Sequence, residues 1–428
     1  MINSWSFMTI RVKTTVAFLV LMLNFMTASS ADNDSIPDNP IGVQITANPC
    51  WVPTSDRQIK GLVVQNGALT LGTQLKFPTL PKHNDEYARD FGFPVFAMGI
   101  NYNFYNHVKF HRGEDSNYLG NATPVDYWST LGNSLSVYAS FQRAIFRTQK
   151  WEFDYEFNIG LGFNSLKYNK YTQVDNHMIS SNVNIYFGAG THLTYRIFPD
   201  WGIKFGLDFN HHSSGTLKRP NKGSNTIGPM VGLVYYPYYE EQLKTNADIA
   251  KKKFDKKSYL NFSCDVGCKT LYEDWNYTQF RLYPDDEDFR TNDFKLYTMY
   301  TLQADYMRRW QRRYASGFGL DLYYLSYINH VKNLDKQFGY SEKHSPISVG
   351  ISGKHEVFYH QLSLAMSFGL YLFRQAGHKA KEVEQPFYET IGLKYHFPKF
   401  YDIALGAYVR AHAFKADHTG ISISVPVK

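Results

Sequence analysis

The chain has 428 residues, 43% of them hydrophobic and 19% charged, with a formal net charge of +7 and a mean hydropathy of −0.39. No long Lys/Arg run accompanies the mild basicity, so nothing calls for nucleic acid as a partner. No apolar stretch reaches the roughly 20 residues of a membrane-spanning helix. Aromatic residues make up 17%, with 33 Tyr and 32 Phe. Strands that alternate apolar and polar residues, with aromatic girdles at two interfaces, average to such a composition.

The first segment reads as a secretory signal over residues 1–31. Arg11 and Lys13 supply its positive charge, Val16–Met26 its apolar core, and Ala31 the small residue after which cleavage is expected. Residues 32–40 form a polar leader. Period-two alternation then begins. Ile41–Val52, Ala68–Phe77, Val95–Phe104, Ser134–Ile145, Trp151–Leu166, Asn184–Ile197, Trp201–Ser213 and Thr226–Tyr236 read as eight strands separated by turn-rich loops. Residues 237–257 lack apolar periodicity and read as a charged linker with a short helix, on the periplasmic side. Alternation resumes in Ser258–Thr270, Phe294–Arg308, Tyr314–Ile328, Ile347–Tyr359, Gln361–Arg374, Phe387–Phe397, Ile403–Ala413 and Gly420–Val427.

The pattern predicts an all-β protein: an antiparallel transmembrane β-barrel, as two tandem eight-stranded barrels over 41–236 and 258–428. The alternative is one barrel of about sixteen strands; a long charged linker favours two, because turns on that side are usually short. The halves look weakly repeated. Thr191–Leu207 parallels Gly392–Gly406, and Val137–Asp154 parallels Leu302–Asp321. Cys50, Cys264 and Cys268 give no disulfide framework. On one strand the last two would lie about 13 Å apart, too far to bridge, and all three read as packing residues.

One hairpin stands apart. Along Trp201–Ser213, Ile203, Phe205, Leu207 and Phe209 point one way and Lys204, Asp208 and Asn210 the other, so the first set faces lipid and the second the lumen. His211 and Ser213 share the lipid-facing parity. On the return strand Asn225 shares it with Ile227, Val231, Leu233 and Tyr235. Polar groups facing hydrocarbon are costly. A Ser–His pair is the minimum for nucleophilic acyl transfer, with a third group to fix the ring. Its position suits a substrate that is itself a membrane lipid. The bland reading is a pair of girdle residues with interfacial hydrogen bonds.

The stretch His211–Asn225 (HHSSGTLKRPNKGSN) resembles the active-site hairpin of the PagL family, the lipid A 3-O-deacylases, in the pattern H-x-S followed by a Gly and then P-N-x-G. The longer chain is similar to two-part proteins labelled acyloxyacyl hydrolase. The resemblance implies an outer-membrane esterase that removes an ester-linked acyl chain from lipid A in lipopolysaccharide, without metal or cofactor. His211 and Ser213 fall on the family's catalytic pair, and Pro220, Asn221 and Gly223 on its P-N-x-G. Asn225 stands where the family type has Glu, and can orient the ring but not offset imidazolium charge. Ser214 stands where the type has Asn; Ser214, the Gly215 amide and Asn221 are the oxyanion and support candidates. Lys218, Arg219 and Lys222 are candidates for contact with lipid A phosphates, or else solvated loop charge. In the second half the equivalent hairpin, Ala407–Val425, offers His412 but no Ser at the right offset, and that half is expected to be silent. His355, His360 and His378 show no metal-ligand spacing. The competing expectation is a non-catalytic structural or transport barrel that kept the hairpin as scaffold.

Overall fold

The computed structural model describes residues 40–54, 57–113, 126–243, 253–283 and 285–427. The expected signal peptide and leader up to residue 39, and residues 244–252 of the linker, lie outside the described residues. In chain order the strands are β1 Gly42–Trp51, β2 Val63–Gln65, β3 Gly67–Pro78, β4 Val95–Phe104, β5 Lys109–Arg112, β6 Tyr127–Thr130, β7 Ser134–Arg147, β8 Trp151–Asn164, β9 Val183–Phe198, β10 Trp201–Ser213 and β11 Ser224–Tyr235. They continue as β12 Lys257–Lys269, β13 Tyr297–Gln311, β14 Tyr314–Leu325, β15 Ile347–Tyr359, β16 Leu362–Phe373, β17 Phe387–Phe397, β18 Ile403–His412 and β19 Lys415–Val427.

Strands β1, β3, β4 and β7–β11 form one closed antiparallel barrel, and β12–β19 form another. Closure is direct: Val43 pairs with Tyr235 in the first, and Leu260 with Val427 in the second. The single sixteen-stranded barrel is therefore excluded, because β11 spends its free edge on β1 and leaves none for β12. Two of the paralleled segments occupy equivalent hairpins, β9–β10 and β17–β18. The other two do not: β7–β8 are the fourth and fifth strands of their barrel, β13–β14 the second and third of theirs.

The alternation is real in three dimensions. Outward residues such as Leu207 and Leu302 remain more than half exposed, a band that only lipid can cover. Inward residues are charged, buried and paired. In the first lumen Lys204 Nζ lies 3.2 Å from Asp154, whose carboxylate also bonds His192 Nδ1 at 3.0 Å, while His192 Nε2 reaches Asp208 at 2.8 Å. In the second, Lys354 Nζ sits 3.0 Å from Asp321 and 3.2 Å from Asp305. No described helix is long and apolar enough to cross a membrane; the strands do the crossing.

The connections sort by length. Loops 52–66, 105–133, 165–182, 214–223, 270–296 and 326–346 leave one rim; the other rim carries mostly tight turns such as 148–150, 199–200, 312–313 and 360–361. A small sheet in the order β2-β5-β6, absent from the sequence reading, caps the long-loop rim of the first barrel over Val52, Ile59, Leu62, Val108 and Phe110. Its strands of three and four residues are too short for alternation to register. Tyr314–Ile328 ends as a strand at Leu325, and Ile328–Gln337 is a helix burying Ile328, Val331 and Leu334, an i, i+3, i+6 face.

The barrels are tied at both rims. At the short-turn rim, Arg312 pairs with Asp90 at 3.1 Å and Glu86 at 2.5 Å, and His360 Nε2 bonds Asp85 at 2.9 Å. Burial alone would raise the Asp85 carboxyl; the bonds from His360 and from the Ala88 and Tyr87 amides outweigh it and hold the group below its ordinary value. A carboxyl held down on folding contributes stability above the ordinary carboxylate range, and that contribution fades as pH falls through the lowered value. Amide exchange in Glu86–Phe91, corrected for its intrinsic pH dependence, should therefore quicken below about pH 4, and Asp85→Asn should show the quicker rate already at pH 7. Asp154→Ala, which leaves buried Lys204 with only the more distant Glu156 at 3.9 Å and His192 with Asp208 alone, should cost about 3 kcal/mol. The temperature at which the folded barrel loses its fast mobility in detergent gels should drop clearly, whereas the lipid-facing Leu207→Ala should move it little.

Candidate active site

Strands β10 and β11 meet in a register that sets His211 opposite Asn225. Facing residues on one side of an antiparallel pair bring their Cβ atoms to within about 5 Å, and His211 Nδ1 lies 2.6 Å from Asn225 Oδ1. An amide oxygen only accepts, so the contact places the ring proton on Nδ1 and leaves the Nε2 lone pair for a proton acceptor's role. The neighbouring His212 points the other way, into the lumen, where Nε2 meets Ser136 Oγ at 2.8 Å. The two histidines thus have separate environments, as their parity dictates.

Ser213 lies two residues beyond His211 on the same face, at the end of β10, and is 8% exposed. The Gly215 N–H approaches Ser213 Oγ at 3.4 Å. The Ser214 N–H donates to Asn221 Oδ1 at 2.9 Å, which folds the far side of the loop back onto the residue after the nucleophile candidate. The Ser214 hydroxyl turns into the loop, donating to the Lys218 carbonyl at 3.2 Å and accepting the Lys218 N–H at 3.3 Å. Gly223 has φ +72°, and a Cβ there would lie 2.7 Å from His211 Cε1; only glycine lets this backbone back onto the ring. The Lys222 and Gly223 amides donate to the His177 and Met178 carbonyls at 3.1 Å each, so the 165–182 loop is the hairpin's floor.

The structure therefore gathers His211, Ser213, Asn225, Gly215 and Asn221 in one hairpin at the long-loop rim. It separates the three basic residues. Lys218 is exposed and Lys222 half-buried, whereas Arg219 Nε donates to the Thr270 carbonyl at 3.0 Å and its guanidinium lies 5.5 Å from the Tyr272 ring centre, both on the second barrel. The sequence reading missed the second-barrel partners of this hairpin, Thr270, Asp417 and Thr419; no local motif marks them. In the second barrel, His412 faces the lumen, its Nε2 at 2.8 Å from the Tyr371 hydroxyl, opposite in parity to His211. Glu384, His412 and Asp417 come within 4.8 Å of one another, but Arg374 and Lys269 already pair with the two carboxylates, which is a self-neutralised cluster and not a cation site.

Residues 96–234, from β4 into β11 and including the whole hairpin, match the family model of lipid A 3-O-deacylase (PagL). Residues 258–425 match that of the acyloxyacyl hydrolase C-terminal domain. No curated protein matches the sequence. Among solved structures, the outer membrane enzyme PagL aligns at 16% identity over 45% of this chain and 97% of its own, with a TM-score of 0.27. Neisserial surface protein A aligns at 13% identity over 46% and 96%, with a TM-score of 0.25. The Pseudomonas putida toluene transporter TodX aligns at 10% identity over 91% and 89%, with a TM-score of 0.16. Identities and scores this low bear on neither the site nor the substrate. The first barrel is thus similar to the lipid A 3-O-deacylase (PagL) family over residues 96–234, and the second to the acyloxyacyl hydrolase C-terminal domain over residues 258–425.

Proposed function

We propose that the chain is an outer-membrane serine esterase that removes an ester-linked acyl chain from lipid A. The observation that carries the reading is the pairing of His211 Nδ1 with Asn225 at 2.6 Å on the outward face of the β10–β11 hairpin, with Ser213 next on that face. The hairpin leaves the barrel at the long-loop rim, and in barrels of this kind the long loops face outward, the side on which lipid A resides.

The chemistry follows from the groups present. Ser213 Oγ attacks the acyl carbonyl carbon while His211 Nε2 takes its proton. The tetrahedral oxyanion is met by the Gly215 N–H and by the Asn221 side-chain N–H2, whose orientation is fixed because its oxygen already accepts from Ser214. Collapse breaks the C–O bond, and His211 returns the proton to the departing sugar oxygen. Water, deprotonated by His211, then releases the fatty acid from Ser213. Asn225 holds the ring through both steps but adds no negative charge to balance the imidazolium. Lys218 and Lys222 lie where phosphates of the same lipid would come to the rim; Arg219, engaged with the second barrel, contributes less. A second reading, a non-catalytic barrel, is favoured by the one departure that matters chemically, Asn225 in place of a carboxylate.

Mass spectrometry of lipid A from cells with and without the protein separates the two readings. Wild type should shorten lipid A by one acyl chain, and Ser213→Ala should leave it intact; identical lipid A in both would sink the esterase. Asn225→Glu should maintain or raise the wild-type rate, and Asn225→Ala, which frees the ring, should lower it at least tenfold, on the order expected for a lost orienting group. Lys218→Ala should raise the half-saturating lipid concentration and leave the maximal rate near wild type.

A further inference from the structure

The two residues after Ser214 are backbone outliers. Gly215 has φ +58° and Thr216 φ +73°. Glycine adopts that region freely, but a β-branched threonine does so at a cost of order 1–3 kcal/mol and only where its surroundings over-determine it. Those surroundings come from the second barrel. The Thr216 carbonyl accepts the Thr270 N–H at 2.9 Å and the Thr270 hydroxyl at 2.8 Å. The Thr216 hydroxyl lies between two acceptors, the Gly215 carbonyl at 2.5 Å and the Asp417 carbonyl of the second barrel at 3.1 Å. The Thr419 hydroxyl donates to the Gly215 carbonyl at 2.6 Å, and a Cβ on Gly215 would fall 2.3 Å from that same hydroxyl. The Gly215 carbonyl, the Thr216 carbonyl and the Thr216 hydroxyl thus all meet groups of the neighbouring barrel. The Gly215 N–H is the group aimed at Ser213 Oγ.

The topology makes the contact specific. The turn belongs to the hairpin of the seventh and eighth strands of the first barrel, and Asp417 and Thr419 lie at the start of the eighth strand of the second, in the equivalent hairpin. The silent hairpin, with His412 turned inward, meets its counterpart at the residues that follow the nucleophile. Ordinary packing between two barrels would bury apolar rims; here two hydroxyls, an amide and a carbonyl of the second barrel converge on two residues.

Resting on the esterase reading above, we propose that Thr419 and Thr270 are positioning residues: the second barrel holds the turn after Ser213 in the strained conformation that keeps the Gly215 N–H beside Ser213 Oγ, where the oxyanion forms. The second barrel is then part of the working site, although it brings no group to the substrate.

The test uses the full chain in detergent–lipid A micelles, with barrel closure checked by heat-modifiable gel mobility. Thr419→Val keeps the shape and removes the hydroxyl. Its kcat should fall on the order of tenfold, since small misplacements of a reacting group cost one to two decades, with KM unchanged, and Thr419→Ser should restore the rate. Hydrogen–deuterium exchange should quicken over residues 214–217 in Thr419→Val and return to wild type in Thr419→Ser. Should the valine variant fail to close its barrel, Thr419→Ala is measured in the same way. A wild-type kcat in the variant, a change confined to KM, or a loss that serine does not restore overturns the proposal. If wild type and Ser213→Ala both leave lipid A intact, the esterase reading has failed. The exchange measurement then decides alone: quicker exchange upholds the brace, and unchanged exchange removes it.

Discussion

Everything in this molecule depends on the alternation imposed by a closed sheet between two solvents. A strand in a barrel wall has no neutral side: each successive residue must satisfy either hydrocarbon or a polar lumen. Closure removes the edges, so no residue can escape the choice by fraying or pairing elsewhere. The lumen answers with buried ions that neutralise one another, Lys204 with Asp154 and His192, Lys354 with Asp305 and Asp321. The outer wall answers with Leu, Ile, Phe and Val. A His, a Ser and an Asn on the outer wall are exceptions to that rule, and they occur together.

The same constraint explains what could be read from the sequence. Parity alone separated His211 from His212, and the structure gives them different partners, Asn225 on one side and Ser136 on the other. All sixteen barrel strands were legible because each runs ten residues or more, long enough for period two to stand out. The β2-β5-β6 cap was not, being made of strands of three and four residues whose conformation is set by packing on Val52, Ile59 and Phe110. Helix Ile328–Gln337 was partly mistaken for strand because Ile328 extends the apolar run of β14 before its helical spacing begins.

The site was half legible. Local spacing carries His211, Ser213, Asn221, Gly223 and Asn225, all within one hairpin. It cannot carry Thr270 or Thr419, which lie 54 and 204 positions from the loop residues they hold. A threonine near the end of a barrel strand is unremarkable in sequence; its meaning comes only from which carbonyl it meets across the seam. Arg219 shows the converse. Its charge suggested a phosphate, but its Nε is committed to the Thr270 carbonyl, a partner no local pattern announces.

The ties at both rims also bear on how the molecule meets its bilayer. A lone barrel whose apolar band is too tall or too short for the local hydrocarbon relieves the mismatch by tilting, at a small cost per ångström. Two barrels fastened at Arg312–Asp90 on one side and at Thr419–Gly215 on the other cannot tilt independently. Any difference in thickness preferred by the two walls is transmitted through those fastenings, and one of them is the turn that follows Ser213. Bilayer thickness and the geometry beside the nucleophile candidate are thereby mechanically linked.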